Sequence, residues 1–445
     1  MQSADDLPIG DRPKVIERAQ ARREASCSGV GEADGRAARL NRGIGRRILL
    51  ASTLDQIDYG RGCDRGTGMD EPRFLVDTYL EWVAREGIPV VEDFGLDLLG
   101  VETAPWARMG GTARGAYVHV KGRGDFVNAY VCELPPGGQT DPQRHLFEEV
   151  VYVLAGRGGT TIEADDGTRH SFEWGRGSLF ALPLNTRYRH FNTSGREPAR
   201  FAAVTSLPLV LNAFHNEALV FDNPFSFAER IGDERFFRGE GEFLSVRPGR
   251  HQWLTNFVPD LGGFELQAWG QRGVGSSNIK FVLADGTMHA HMSELAVGTY
   301  KKAHRHGPDF HIFPVTGRGY SLLWYAGEQD LRRIDWQHGW VYAPPDQIFH
   351  QHFNTAPSPS RYLAVAFGSI RYPFSSDKRT LFGDGVDKDV AQGGRQIEYE
   401  DEDPRVRAMF EAELRRHGID VDPRLAEIWT RAEAKRRGEL VAARG

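Results

Sequence analysis

Two short stretches hold the residue types best suited to chemistry: His304-Arg305-His306-Gly307-Pro308-Asp309-Phe310-His311, and further on His350-Gln351-His352-Phe353-Asn354. Five of the chain's 15 histidines fall in them. Residues i and i+2 of a strand point to one face, so the imidazoles of His304 and His306 can converge on one point. A third nitrogen from another strand would complete three sides of a shell of the kind divalent transition metals prefer. The competing reading is a set of surface or hydrogen-bonded histidines. Imidazole is the commonest metal ligand, and the clustering favours the metal.

The elements that must position these groups are short. Across 445 residues the chain is 40% hydrophobic and 26% charged, with 51 Gly and 23 Pro, which leans towards many strands joined by turns. A formal charge of −6 gives no electrostatic reason to expect nucleic acid. Cys27, Cys63 and Cys132 have no metal-type spacing and fit a reduced interior without a disulfide framework. No apolar run approaches the ~20 residues of a membrane span, and the polar start predicts no secretory signal, so the expected location is the cytoplasm.

Five regions follow from the composition. Residues 1–70 are Arg/Gly-rich and read as an extended arm. Residues 71–208 begin with a helix near 72–85 and continue as strands. Residues 209–260 read as a connector, 261–372 as strands again, and 373–445 as a loop followed by helices at Pro404–His417 and Pro423 to about Glu439. The two strand-rich regions repeat. At one constant offset Gln143 aligns with His304, His145 with His306, Glu149 with Phe310, and Gly156-Arg157-Gly158 with Gly317-Arg318-Gly319. With one residue inserted, Tyr188-Arg189-His190-Phe191-Asn192 aligns with His350-Gln351-His352-Phe353-Asn354. Gly and Pro recur where turns demand special backbone angles, which marks a duplicated β domain.

Gly298, His304-x-His306 and Gly317-x-Gly319, then Gly339, Pro345, His350 and Asn354, resemble the two motifs of the cupin superfamily. The resemblance spans about Val118–Pro208 and Gln267–Ile370. It implies an all-β core of two tandem cupin jelly-roll barrels, a bicupin, with the arm and C-terminal helices outside it. It also implies one divalent metal in the second barrel on His304, His306 and His350. The family's glutamate position falls on Phe310. His311 becomes a fourth ligand if a bulge re-aims it, and otherwise faces the other side of the sheet. His352 is a candidate catalytic base or a structural group, since His190 occupies the same place in the first copy. A second set, Gln143, His145, Glu149 and His190, is the poorer match, because amide oxygen binds transition metals weakly. Tyr320, Trp324, Trp340, Arg361 and His291 are candidates for the substrate pocket, with core packing as the alternative for the aromatics.

An all-His site resembles that of cupin dioxygenases, including those acting on gentisate-like acids. The expected activity is that of a non-haem Fe(II) oxygenase acting with dioxygen on a small organic acid, aromatic acids included. Two alternatives stand beside it. One is a non-redox Mn, Zn or Ni lyase, isomerase or decarboxylase; the other is a bicupin that binds a ligand without chemistry. The arm suggests a homo-oligomer. No motif for phosphate-loop or nucleophile-elbow chemistry is present.

Overall fold

The computed structural model describes residues 76–247, 249–307, 310–369, 371–374, 385 and 387–437. The expected arm lies outside them. Among the described residues two barrels follow one another, each built from a large and a small sheet. In the first, the large sheet runs Arg114–Val120, Asn128–Leu134, Ala199–Thr205, Glu149–Ala155, Leu179–Leu182. In the second, Ser277–Leu283, His289–Leu295, Ser360–Ala366, His311–Thr316 and Trp340–Tyr342 take the same places in the same order. The small sheets match as well: Arg187–Asn192, Arg157–Glu163, Arg169–Gly175 in the first barrel, and Phe349–Asn354, Arg318–Trp324, Arg332–Gln337 in the second. The internal repeat is thus a repeat of topology. The chain has an all-β core of two tandem jelly-roll barrels.

Side-chain alternation tells the faces apart. Val151 and Val153 turn into the first barrel, whereas Val150, Tyr152 and Leu154 join a core shared by the two large sheets. In the second barrel Ile312 turns inward, and Phe313 and Val315 meet the shared core. Such strands are covered on both faces, which is why Leu179–Leu182 and Ala199–Thr205 are buried throughout. Arg169–Gly175 and Arg332–Gln337 lie on the outside and keep the strict in-out alternation of a half-exposed strand.

The region expected to be a plain connector supplies strands to both barrels. Arg250–Thr255 pairs in parallel with Ser277–Leu283, and Phe257–Val258 pairs with Leu179–Phe180 of the first barrel. In return, Gly95–Asp97 pairs with Trp340–Tyr342 of the second barrel. These short, mixed-polarity segments show no periodicity of their own; they are strands because an edge is available to them.

After the second barrel, helices Pro404–His417 and Pro423–Arg436 start where expected, each with an Asp side chain (Asp403, Asp422) capping the first turn and Pro inside it. Phe410, Leu414, Leu425 and Trp429 pack them onto Tyr300, Tyr320 and Phe353, on the outer face of the small sheet. No described helix is long and apolar enough to cross a membrane.

Candidate metal centre

The convergence of histidines in the second barrel is a matter of strand register. His304 and His350 are direct cross-strand partners in the antiparallel pair of Ala303–His304 and Phe349–Asn354. The Gln347 N–H donates to the His306 carbonyl at 3.0 Å, tying the next residue pair to the same turn. One ring nitrogen from each of His304, His306 and His350 lies within 4.8 Å of the other two.

The ring orientations suit a metal. Nδ1 of His304 is 2.9 Å from the Lys302 carbonyl, Nδ1 of His306 is 3.0 Å from that of Gly307, and Nδ1 of His350 is 3.1 Å from that of Ile348. A carbonyl only accepts, so each Nδ1 carries the proton and each Nε2 keeps a lone pair. Nε2 of His350 is buried with no hydrogen-bond partner, a costly state unless another ligand takes the lone pair. Burial pushes the His350 pKa down to about 3, with the Ile348 carbonyl opposing and Arg272 and Lys301 adding to the fall. Burial likewise holds His304 well below the usual histidine range. Both are therefore neutral donors at ordinary pH. A divalent ion fits this set: three rings held through Nδ1, two of them neutral, with Phe310 packed on His306 (ring centroids 4.3 Å apart) at the position that aligns with Glu149 of the first copy.

Residues 130–205 match the family model described as Cupin domain. This segment is a cupin domain. No curated protein matches the chain. Solved structures similar to it include the Mn(II)-containing oxalate decarboxylase of Bacillus subtilis (15% identity, 62% of this chain and 78% of that one, TM-score 0.39). The oxalate decarboxylase of Lactobacillus farciminis in complex with formate shares 15% identity over 66% of this chain and 91% of that one, with a TM-score of 0.41. Hazelnut (Corylus avellana) vicilin shares 12% over 62% and 85%, with a TM-score of 0.39. These likenesses concern the fold.

Within the second barrel the structure separates the remaining candidates. His311 is not with the other three. Its strand keeps regular alternation there, so Phe310 and Ile312 face the cavity while His311 faces the side of Phe313 and the neighbouring barrel. From His311 onward the pairing with Val365 and Ala364 is regular, and the register shift in this strand falls between Pro314 and Thr316. His352 does line the cavity, and its Nδ1 is held 2.8 Å from Ser321 Oγ and 3.1 Å from Tyr342 Oη. Trp336 Nε1 donates to the same Ser321 oxygen at 3.0 Å. In the first cupin barrel Trp174 donates to Thr160, which is 2.8 Å from His190 Nδ1. A Trp-hydroxyl-His bracket thus recurs in both copies, which gives His352 a structural duty whatever else it does.

The first barrel does not assemble its four candidates. Tyr188 Oη donates to Nε2 of His145 at 2.9 Å, taking the lone pair a metal would need. Glu149 accepts from Tyr130 at 2.9 Å, and burial raises its pKa to about 7. Gln143 turns away and donates to the carbonyls of Arg108 and Asp141 at 3.2 and 3.1 Å. Tyr188 stands at the position that aligns with His350 of the second copy, and its hydroxyl plugs the ring nitrogen of His145.

Of the expected pocket residues only His291 lines the cavity. Tyr320 stacks on Phe353 under the C-terminal helices, and Trp324 stacks on Phe349 on that side. Trp340 packs against the core at the barrel rim, near Gly95. Arg361 is paired with Glu294 at 2.7 Å and with the Leu261 and Phe264 carbonyls. Its neighbour Tyr362 faces the cavity instead, because adjacent residues of a strand point to opposite faces. Sequence reasoning missed Arg250, Trp269, Arg272, Lys280 and Lys301, which also line it. Lys280 was the detectable one: a cation in the otherwise apolar run Ile279–Leu283, directly opposite His291.

Proposed function

We propose that the protein is a metal-dependent bicupin enzyme acting on a small organic acid in the second barrel, by non-redox chemistry of the lyase, isomerase or decarboxylase kind. The observation that carries this reading is the trio of converging imidazoles, their rings fixed through Nδ1, opening into a cavity lined by arginine and lysine side chains. His304, His306 and His350 would hold the ion. When bound, a divalent metal supplies a Lewis acid for a carboxylate or carbonyl oxygen. The three Nδ1–carbonyl bonds hold the rings in one orientation so that little reorganisation is needed on binding. Phe310 and Ile312 cover one side of the site and exclude water. Lys301 Nζ donates to Ser293 Oγ at 2.9 Å and to Tyr362 Oη at 2.6 Å, so its amine is held in place at the cavity wall. Arg272 and Lys301 act electrostatically on His350. The positive charge of Arg272 raises the cost of removing an electron from this place, which favours Lewis-acid over redox use, with Mn, Zn or Ni as the ion.

One observation favours a second reading, an Fe(II) oxygenase. With Phe310 in place of a carboxylate, the ligand set is all nitrogen and leaves positions for both an acid and dioxygen. Metal analysis of protein prepared without air, followed by a screen of organic acids under argon and in air, separates the two. Turnover under argon supports the first, and turnover that stops without oxygen in iron-loaded protein supports the second. Protein that retains no metal, and is not stabilised by adding any, overturns both and leaves a ligand-binding bicupin.

A further inference from the structure

Resting on the reading above for where the acid binds, we propose that Lys301 is a nucleophile of the same cavity and that the molecule taken is an oxo acid. Its acid group would meet the histidine trio, and its aldehyde or ketone carbon would condense with the Lys301 amine to an imine.

Two strands place the amine for this. Lys301 lines the cavity together with His304, His306 and His350, yet it is almost fully buried. Ser293 and Tyr362, direct cross-strand partners in the large sheet, accept from its Nζ at 2.9 and 2.6 Å. An uncharged amine has two N–H bonds; with both engaged, the lone pair is its one free valence. The ring centres of Trp269 and Tyr362 lie 5.4 and 4.8 Å from Nζ, so aromatic faces surround it.

The neighbouring lysine provides the contrast. Lys302 pairs with Glu398 at 2.5 Å, the usual partner of an ammonium. The hydrogen bonds of Lys301 go to hydroxyls instead, and the charges that act on it most are the cations Arg272, Lys280 and Arg250. Burial first, and these cations second, hold its pKa well below the usual lysine range. A lysine kept for structure alone is normally satisfied as an ammonium by a carboxylate; one held as a free amine is what carbonyl chemistry requires.

The step balances without an added oxidant or reductant. The Nζ lone pair forms the C–N bond while the carbonyl π pair moves to oxygen. That oxygen then leaves as water with the two amine hydrogens, and the carbon ends doubly bonded to Nζ. An imine draws electrons from the adjoining carbon, which assists the bond breaking of a lyase or decarboxylase and the proton shift of an isomerase.

Reductive trapping on the full-length protein tests this. Glyoxylate or pyruvate is added at neutral pH, sodium cyanoborohydride reduces any imine to a stable secondary amine, and the digested peptides are mapped by mass. Metal-loaded and chelated protein are compared, with metal content measured alongside. Lys301 is expected to carry the adduct in excess over the exposed Lys388 and Lys435 by about tenfold or more, since one pKa unit is a tenfold change in free amine. Lys301→Arg, which keeps donors for Ser293 and Tyr362, should lose the adduct and keep the metal content. The wild-type peptide map already locates the adduct, so the result stands however that variant folds. The inference is overturned if Lys301 stays unmodified in metal-loaded and chelated protein alike, or is modified no more than Lys388 and Lys435. An adduct at Lys301 in protein with no affinity for metal would keep the nucleophile and sink the metal-dependent reading; metal-loaded protein without the adduct does the reverse.

Discussion

At the scale of single residues, the site depends on which nitrogen of each histidine is free. Backbone carbonyls occupy Nδ1 of His304, His306 and His350, so Nε2 is the donor in all three. His350→Ala is expected to abolish metal retention, whereas His311→Ala and His145→Ala should leave it near the wild-type level. Elemental analysis of the purified variants decides this, and equal losses in all three would remove the proposed centre. Ser321 matters for a different reason. Its hydroxyl joins Tyr342 (2.7 Å), His352 and Trp336 in one buried bracket. Ser321→Ala strands these partners and should cost about 1–3 kcal/mol in denaturant unfolding. Five histidines were legible as a cluster from sequence, but three converge, one brackets and one faces away. That division follows from strand parity, which no residue type reports.

At the scale of elements, the Gly-x-Gly turn ties the small sheet to the site. A Cβ at Gly319 would collide with the Phe353 carbonyl and the Trp336 ring. Its absence lets Trp336 lie across the strand and reach Ser321. The same arrangement recurs at Gly158 with Phe191 and Trp174. The strand Arg318–Trp324 pairs with Phe349–Asn354, with Leu323 opposite His350. Gly319→Ala should therefore destabilise the fold by about 1–3 kcal/mol and lower metal loading together. A variant that unfolds at lower denaturant yet loads metal fully would show the turn is decoupled from the centre. The turn, its glycines and the C-terminal helices with their Asp-Pro starts were readable from sequence, because each is a local rule. The exchanged strands Gly95–Asp97 and Phe257–Val258 were not, since what makes them strands is an edge in the other half of the chain.

At the scale of the whole molecule, buried titratable groups set the response to pH. Burial lowers His119, His145 and His190 from 6.5 to about 3 in the folded state. Below pH 6.5 the unfolded chain takes up protons there that the native one refuses, so stability falls with pH until about 3. Glu149 and Glu402 act oppositely: raised to about 7 by burial, they favour the folded state at low pH and lose that advantage between 4.5 and 7. The two effects oppose each other from 4.5 to 6.5; below that the histidines are joined by Asp403 and Asp422, whose carboxyls the hydrogen bonds from Arg405 and Arg424 hold below the usual range and whose stabilisation is lost on acidification. A shallow change in unfolding midpoint between those values and a steep loss below is the expected profile. A profile still rising on acidification below pH 4.5 would contradict it. By itself, the sequence determined the duplicated strand pattern, the resemblance to cupins and the pair of histidine stretches, because periodicity, turn glycines and residue type are written locally. Only the tertiary structure decided that His311 points to the neighbouring barrel, that Tyr188 plugs the first barrel, and that Arg250, Arg272 and Lys301 gather round Trp269 beside the second site. Those outcomes depend on register and on segments far apart in the chain meeting, and a linear string carries neither.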